Sequence, residues 1–140
     1  KYAEMLASSQ FCLIPPGVVG WSPRLSDSVF AGCIPVIIAH DTVLPFERQM
    51  DYSKFTIQLD SREVMKDPSI VETTLRGMTD EDKAELQREG LAMRNAFVYT
   101  DDFESSDSPY AYILRELAMK KEEMIAAGTW DVATDGESYN

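Results

Sequence analysis

The stretch from Phe11 to Ile38 constrains the fold more than any other, because two apolar runs flank a loop and a helical pattern. The runs Phe11–Ile14 and Ile34–Ile38 have the length and composition of buried strands. Pro35 lies near the start of the second run, where a missing N–H donor matters least. The order strand, loop, helix, strand predicts a βαβ unit with parallel strands and a right-handed crossover.

The helix of this unit is predicted to begin at Pro23. Ser22 is a good N-cap and proline is favoured at the first helical position. Leu25 and Val29 give the helix an apolar face, and Gly32 is a suitable C-cap.

The rest of the chain adds one strand and several helices to the predicted fold, an α/β, Rossmann-like parallel sheet with flanking helices. Residues 1–8 have the pattern of a helix end, and residues 55–59 alternate as a strand does. Later helices are expected over residues 68–76, over residues 80–97 behind a capping box at Thr79 and Asp82, and from Pro109 to Gly128. We assign residues 1–126 to one domain and residues 127–140 to a polar C-terminal tail.

The charge of the chain excludes some partners. Asp and Glu number 24 against 13 Lys and Arg, for a formal net charge of −11 at pH 7. A chain this acidic repels phosphate backbones and anionic membrane surfaces, so nucleic acid is not expected as a partner. A nucleotide ligand stays possible, because one local site can be positive. No apolar run approaches the length of about 20 residues that spans a bilayer.

The loop between the first strand and the helix has features of a phosphate site. Gly17 and Gly20 allow close backbone approach, and Ser22 precedes a helix N-terminus that carries a partial positive charge. Arg24 adds a fork of donors suited to a diphosphate. Asp27 follows Arg24 at i+3 and has a carboxylate that can accept ribose hydroxyls. The alternative is that Arg24 and Asp27 form an ordinary surface ion pair.

The two cysteines, Cys12 and Cys33, lack the spacing of a zinc site. We interpret them as small buried apolar residues, with a mutual disulfide as the less favoured alternative. The sequence also shows no carboxylate cluster that would hold a metal ion.

Four segments in the same order resemble the exostosin family of glycosyltransferases. The later segment Asp51–Phe55 resembles the acidic-aromatic stretch that precedes a strand in that family. The resemblance is dense from residue 2 to about residue 60, and its segments are Ser9–Gly17, Ser22–Leu25, Ala31–Ile38 and Leu44–Phe46.

The resemblance implies the C-terminal, donor-binding domain of a two-domain GT-B enzyme. Such an enzyme transfers a sugar from a UDP-sugar to a polysaccharide or glycan acceptor, and it uses neither a metal ion nor another cofactor. The family further implies the lumenal side of the Golgi membrane. On this resemblance, we expect the N-terminal acceptor domain and its membrane anchor to lie outside the 140 residues of this chain.

The resemblance also implies roles for single residues. Arg24, helped by Ser22 and the neighbouring backbone N–H groups, would hold the diphosphate. Asp27 stands where the family usually has Glu, which would bind the ribose. Val19 stands where retaining enzymes carry a second Glu, so inversion is expected. The general base that inversion needs is expected on the missing half of the enzyme.

Three further residues are weaker candidates. Trp21 either stacks on a base or sugar or caps the edge of the core. His40 and Asp41 follow the second strand and are candidates for contacting the donor sugar, although for His40 we favour a merely exposed loop position.

Two other functions stay open. One is a catalytically silent subunit that stabilises an active paralogue, and the other is an unrelated nucleotide-binding α/β module.

Overall fold

The sheet has three parallel strands in the order β1-β2-β3, as seen in a computed structural model that describes residues 1–17, 22–101 and 103–130. The strands are β1 (Phe11–Ile14), β2 (Ile34–Ala39) and β3 (Ile57–Asp60). The parallel βαβ unit and the predicted α/β, Rossmann-like class are therefore confirmed.

Helices flank the sheet, and among the described residues none is long and apolar enough to cross a membrane. Short 3₁₀ turns cover Tyr52–Lys54 and Arg94–Phe97. The α-helices are α1 (Tyr2–Ser8), α2 (Arg24–Ala31), α3 (Ser61–Lys66), α4 (Ser69–Gly77), α5 (Asp80–Ala92) and α6 (Pro109–Ala126).

The central strand β2 sets the register of the sheet. Phe11 pairs with Ile34, and Val36 pairs with Ile57. The Ile34 N–H donates to the Gln10 carbonyl at 3.0 Å, so the nitrogen of the next residue, Pro35, faces the side of β3. Since β3 pairs only from Val36 onward, the missing donor of Pro35 interrupts no ladder bond.

Several element boundaries differ from the prediction, among them those of β3, α5 and α2. β3 begins at Ile57 rather than Phe55, because Phe55 and Thr56 donate their N–H groups back to the Tyr52 carbonyl at 3.3 and 3.0 Å in the preceding 3₁₀ turn. The helix predicted over residues 80–97 ends at Ala92 and is followed by the 3₁₀ turn Arg94–Phe97. Helix α2 begins one residue after Pro23, which already has helical dihedral angles.

The core lies between the sheet and the elements packed on it. Val29 and Phe55 are each 1% exposed, and Val36 is fully buried. One cluster of buried residues joins the strands to helix α2, the two 3₁₀ turns and the intervening loop: Ile14, Leu25, Val29, Ile37, Met50, Tyr52, Phe55 and Ala96.

Cys12 and Cys33 form a disulfide, so the favoured interpretation of them as unbonded apolar residues was wrong. Both are buried, as expected. The parallel register places the amino end of β1 beside the residue that precedes β2, and the two Cα atoms are 5.9 Å apart, within the range that a disulfide spans. The bond closes a loop with a sequence separation of 21 that contains the candidate phosphate loop and α2.

Tyr52 stabilises the loop that follows β2 through a buried hydrogen bond. Its ring is 4% exposed, and its hydroxyl donates to the Pro45 carbonyl at 2.6 Å. Burial, with a smaller contribution from the Glu47 carboxylate, raises the pKa of Tyr52 well above its usual range. The protonated hydroxyl is therefore the form that the fold stabilises.

We expect the disulfide to stabilise the fold by about 3 kcal/mol, because it closes a loop of this length in the unfolded chain. Urea denaturation with and without a reductant measures this difference. A Cys12→Ser/Cys33→Ser variant serves as control. Its denaturation midpoint should match that of the reduced protein and should not change when the reductant is added. Equal midpoints for the oxidised and reduced wild type would contradict the disulfide.

We expect Tyr52→Phe to lower the free energy of unfolding by about 1 kcal/mol, because the Pro45 carbonyl loses its donor. Because the folded state raises the pKa of Tyr52, its hydroxyl contributes fully below the unfolded pKa of about 10, and the contribution falls as pH rises above that value. Denaturation at pH 8 and at about pH 11 should show a smaller alkaline loss in the variant than in the wild type. Tyr99→Phe, at a tyrosine that is 64% exposed, is the matched control and should lose stability with pH as the wild type does.

Candidate functional site

A small cavity opens at the carboxyl ends of β1 and β2, the edge at which parallel α/β sheets bind ligands. Its volume of about 130 Å³ holds a few waters but is below the range of a complete small-molecule pocket. Gly17 and Ser22 belong to its lining, which is otherwise mostly apolar: Ile14, Pro15, Pro16, Leu25, Ile37, Ile38, Ala39, Thr42, Val43, Leu44 and Pro45.

The N-terminus of α2 is built beside this cavity. The Ser22 hydroxyl accepts from the Arg24 N–H at 3.3 Å, and the Ser22 carbonyl accepts from the Leu25 N–H at 3.3 Å. Ser22 thus accepts two N–H groups of the first turn, but the N-cap of α2 is Pro23 rather than Ser22, because the helix begins at Arg24. The Arg24 side chain is exposed, and within the described residues its guanidinium makes no hydrogen bond or ion pair.

Asp27 does not pair with Arg24 in the described part of the chain. Its carboxylate instead accepts a hydrogen bond from the Tyr2 hydroxyl of α1 at 3.2 Å. Desolvation and the Asp27 carboxylate raise the pKa of Tyr2, so the hydroxyl keeps its proton. The surface ion pair weighed as the alternative for Arg24 and Asp27 is thus not formed.

His40 lies between two carboxylates at the ends of β2 and β3. The register pairs Ala39 with Asp60, which brings the next residue, His40, beside Asp60. His40 Nε2 is 2.8 Å from Asp41 Oδ2, and its Nδ1 is 3.6 Å from Asp60 Oδ2. His40 is exposed, as favoured from the sequence, but its ring is held by its neighbours.

Asp60 is itself fixed by Arg62. One Asp60 oxygen accepts from the Arg62 N–H at 2.8 Å and from Nε at 3.1 Å, and the other accepts from Nη2 at 2.6 Å. These hydrogen bonds hold the pKa of the Asp60 carboxyl well below its usual range. Asp60 is therefore a fixed anion at neutral pH.

The loop after β2 carries two residues in the left-handed region, Asp41 with φ 51° and Phe46 with φ 56°. Aspartate tolerates this region, whereas a bulky aromatic residue rarely adopts it. The conformation is held by the Leu44 N–H, which donates to Glu47 Oε2 at 2.8 Å, and by the Phe46 ring, which packs on Tyr112 of α6 with centroids 5.2 Å apart. The backbone that presents His40 and Asp41 is thereby fixed.

A second pocket of about 270 Å³ lies over the ends of β2 and β3. It shares Ile37, Ala39, Thr42 and Leu44 with the first cavity, so the two are adjacent. Its remaining lining residues are His40, Asp41, Gln58, Leu59 and Asp60.

The structure brings part of the predicted site together. Gly17 and Ser22 line the first cavity, Arg24 and Asp27 follow on the first turn of α2, and His40 and Asp41 line the second pocket. Gly20, Trp21 and Val19 lie outside the described residues.

Asp60 and Arg62 were missed from the sequence. The signal was present, because Asp60 directly follows the strand predicted over residues 55–59 and so lies at the same sheet edge as His40. No group of three or more His, Cys, Asp or Glu residues in the described part of the chain is arranged to hold a metal ion.

Comparison with known proteins gives consistent matches. The family model of the Exostosin GT47 domain matches residues 1–74. A probable glucuronosyltransferase of Oryza sativa subsp. japonica is 35% identical over 121 residues, which are 85% of this chain and 28% of that protein. A probable glucuronosyltransferase of Physcomitrium patens is 36% identical over 121 residues, covering 85% of this chain and 26% of the relative.

A probable beta-1,4-xylosyltransferase of Arabidopsis thaliana is 34% identical over 121 residues, or 85% of this chain and 28% of that protein. This chain thus spans little more than a quarter of the length of these relatives. The family match covers more than half of the chain, including β1, α2, β2 and the loops that form the candidate site. By these matches and by its parallel Rossmann-like sheet, the chain belongs to the exostosin GT47 family.

Proposed function

We propose that this chain is the donor-binding domain of an inverting glycosyltransferase that takes a UDP-sugar and transfers the sugar to a polysaccharide or glycan acceptor. The observation that carries the proposal is the exposed Arg24 guanidinium at the N-terminus of α2, with no partner among the described residues, in a member of the exostosin GT47 family. An exposed arginine beside a helix N-terminus supplies both the charge and the donors that a diphosphate needs.

The proposed donor site follows the two adjacent pockets. Gly17 and Ser22, which line the first cavity, approach the diphosphate. Gly20 and Trp21 keep the donor-binding role that the sequence predicts for them. Arg24 binds the diphosphate oxygens and stabilises the departing UDP. Asp27 accepts the ribose hydroxyls, with its carboxylate oriented by the Tyr2 hydroxyl.

The donor sugar is placed in the second pocket, against His40 and Asp41. The names of the relatives include glucuronosyltransferase and xylosyltransferase, so both uronic acids and neutral sugars are candidate donors. Neither a metal ion nor another cofactor is part of the proposed chemistry, because Arg24 and the helix N-terminus supply the positive charge.

We place the donor domain at residues 1–126 and a polar tail at residues 127–140. The relatives contain long regions that this chain does not match. We assign the general base and the acceptor-binding domain to the counterpart of those regions. We propose the lumenal side of the Golgi membrane as the location, where an oxidising environment suits the Cys12–Cys33 disulfide.

One observation favours a second candidate, a catalytically silent subunit in complex with an active paralogue. Asp27 is one methylene shorter than the Glu usual in the family, and the Tyr2 hydroxyl already occupies one of its oxygens. A silent subunit would keep the fold but bind no UDP-sugar.

We expect calorimetric titration of the folded chain to show saturable binding of UDP, with weaker binding of GDP and ADP. Arg24→Ala should weaken UDP binding by about 10- to 100-fold, because hydrogen bonds to a charged group are lost. Arg24→Lys should recover only part of the loss, since an ammonium cannot form the bidentate contact.

Arg76→Ala is the matched control. Arg76 is an exposed arginine of α4 that pairs with Glu72 at 2.7 Å and lines neither pocket. This variant should bind UDP as the wild type does. If circular dichroism shows a folded chain that binds no UDP, the donor-site proposal fails and the silent-subunit candidate is favoured. Equal binding of UDP, GDP and ADP would instead indicate an unrelated nucleotide-binding module.

A further inference from the structure

The lining of the second pocket is predominantly acidic. The described residues that line it include two carboxylates, Asp41 and Asp60, one histidine, and no lysine or arginine. Acidic side chains therefore outnumber basic ones among these lining residues. The pocket therefore presents hydrogen-bond acceptors and negative charge to whatever enters it.

The nearest cation does not reverse this charge. Arg62 lies outside the lining and directs Nε and Nη2 at Asp60, at 3.1 and 2.6 Å. His40 has both ring nitrogens turned towards carboxylates, at 2.8 Å from Asp41 and 3.6 Å from Asp60. Both side chains are therefore engaged with the carboxylates that already line the pocket.

The two carboxylates also differ in freedom. Asp60 is locked by Arg62, whereas the Asp41 side chain is 84% exposed and is in contact with His40. Asp41 can therefore accept hydrogen bonds from a ligand while it keeps its contact with His40. Hydroxyl groups of a neutral sugar are suitable donors for it, and a ligand carboxylate is not.

We propose that this pocket makes the chain selective for a neutral donor sugar over a uronic acid, with Asp41 as the residue that determines the choice. The inference rests on the proposed function, because it assumes that a UDP-sugar occupies the two adjacent pockets. Asp41 accepts sugar hydroxyls and repels a sugar carboxylate, whereas the charge of Asp60 is offset by its ion pair with Arg62.

UDP-glucose and UDP-glucuronic acid form a matched pair of probes, since they differ only in a hydroxymethyl group against a carboxylate at C6. Calorimetry of the chain with UDP, UDP-glucose and UDP-glucuronic acid should give a dissociation constant for the uronic acid that is higher by about tenfold or more than that for UDP-glucose. Added salt should narrow the difference, because charge repulsion is screened.

Asp41→Asn tests the assignment directly. Asparagine tolerates the left-handed backbone at this position and keeps an oxygen for His40, but it removes one charge. The ratio between the two dissociation constants should fall to about threefold or less in this variant. Asp80→Asn removes an exposed carboxylate of α5 that lines neither pocket, and it should leave the ratio unchanged.

The outcomes separate this inference from the proposed function. Binding of UDP together with equal or tighter binding of UDP-glucuronic acid would overturn the selectivity and leave the donor site standing. An unchanged ratio in Asp41→Asn would overturn the role of Asp41. Absence of UDP binding would overturn the proposed function, and the inference with it.

Discussion

The parallel pairing of β2 between β1 and β3 is the constraint on which the rest of the structure depends. Because β2 is buried along nearly its whole length, its side chains tie the helices and loops around it to one core. The same pairing fixes what happens at both ends of the strands. At the amino ends it brings Cys12 beside Cys33, and at the carboxyl ends it brings His40 beside Asp60.

Much of this fold follows from sequence patterns. The Ile34–Ile38 run, the Gly32 cap and the Thr79–Asp82 capping box are local signals, and each element they predict is present. The start of β3 was predicted less well, because Phe55 alternates correctly for a strand while its backbone belongs to a turn capped by Asp51. The disulfide could not be predicted from local sequence patterns, because it depends on strand pairing between residues distant in sequence.

In the candidate site, too, features encoded by neighbouring residues were predicted, whereas contacts between distant residues were not. Ser22 and Arg24 could be identified because the signals for a helix N-terminus lie within a few residues. The bond from Tyr2 to Asp27 and the contact of Asp60 with His40 join residues far apart in the chain. The first contact depends on the packing of α1, which the sequence does not reveal, whereas the second could have been inferred from the order of the predicted strands.

The disulfide and the candidate site occupy opposite ends of the same strands. The end that contains Cys12 and Cys33 is closed by a covalent bond, whereas the other end is formed by loops at the surface. In a domain built in this way, side chains at the candidate site can be replaced without affecting the disulfide that stabilises the fold. Exposed side chains such as His40 can change during evolution with little risk to folding, whereas the left-handed backbone at Asp41 restricts that position to residues that tolerate it.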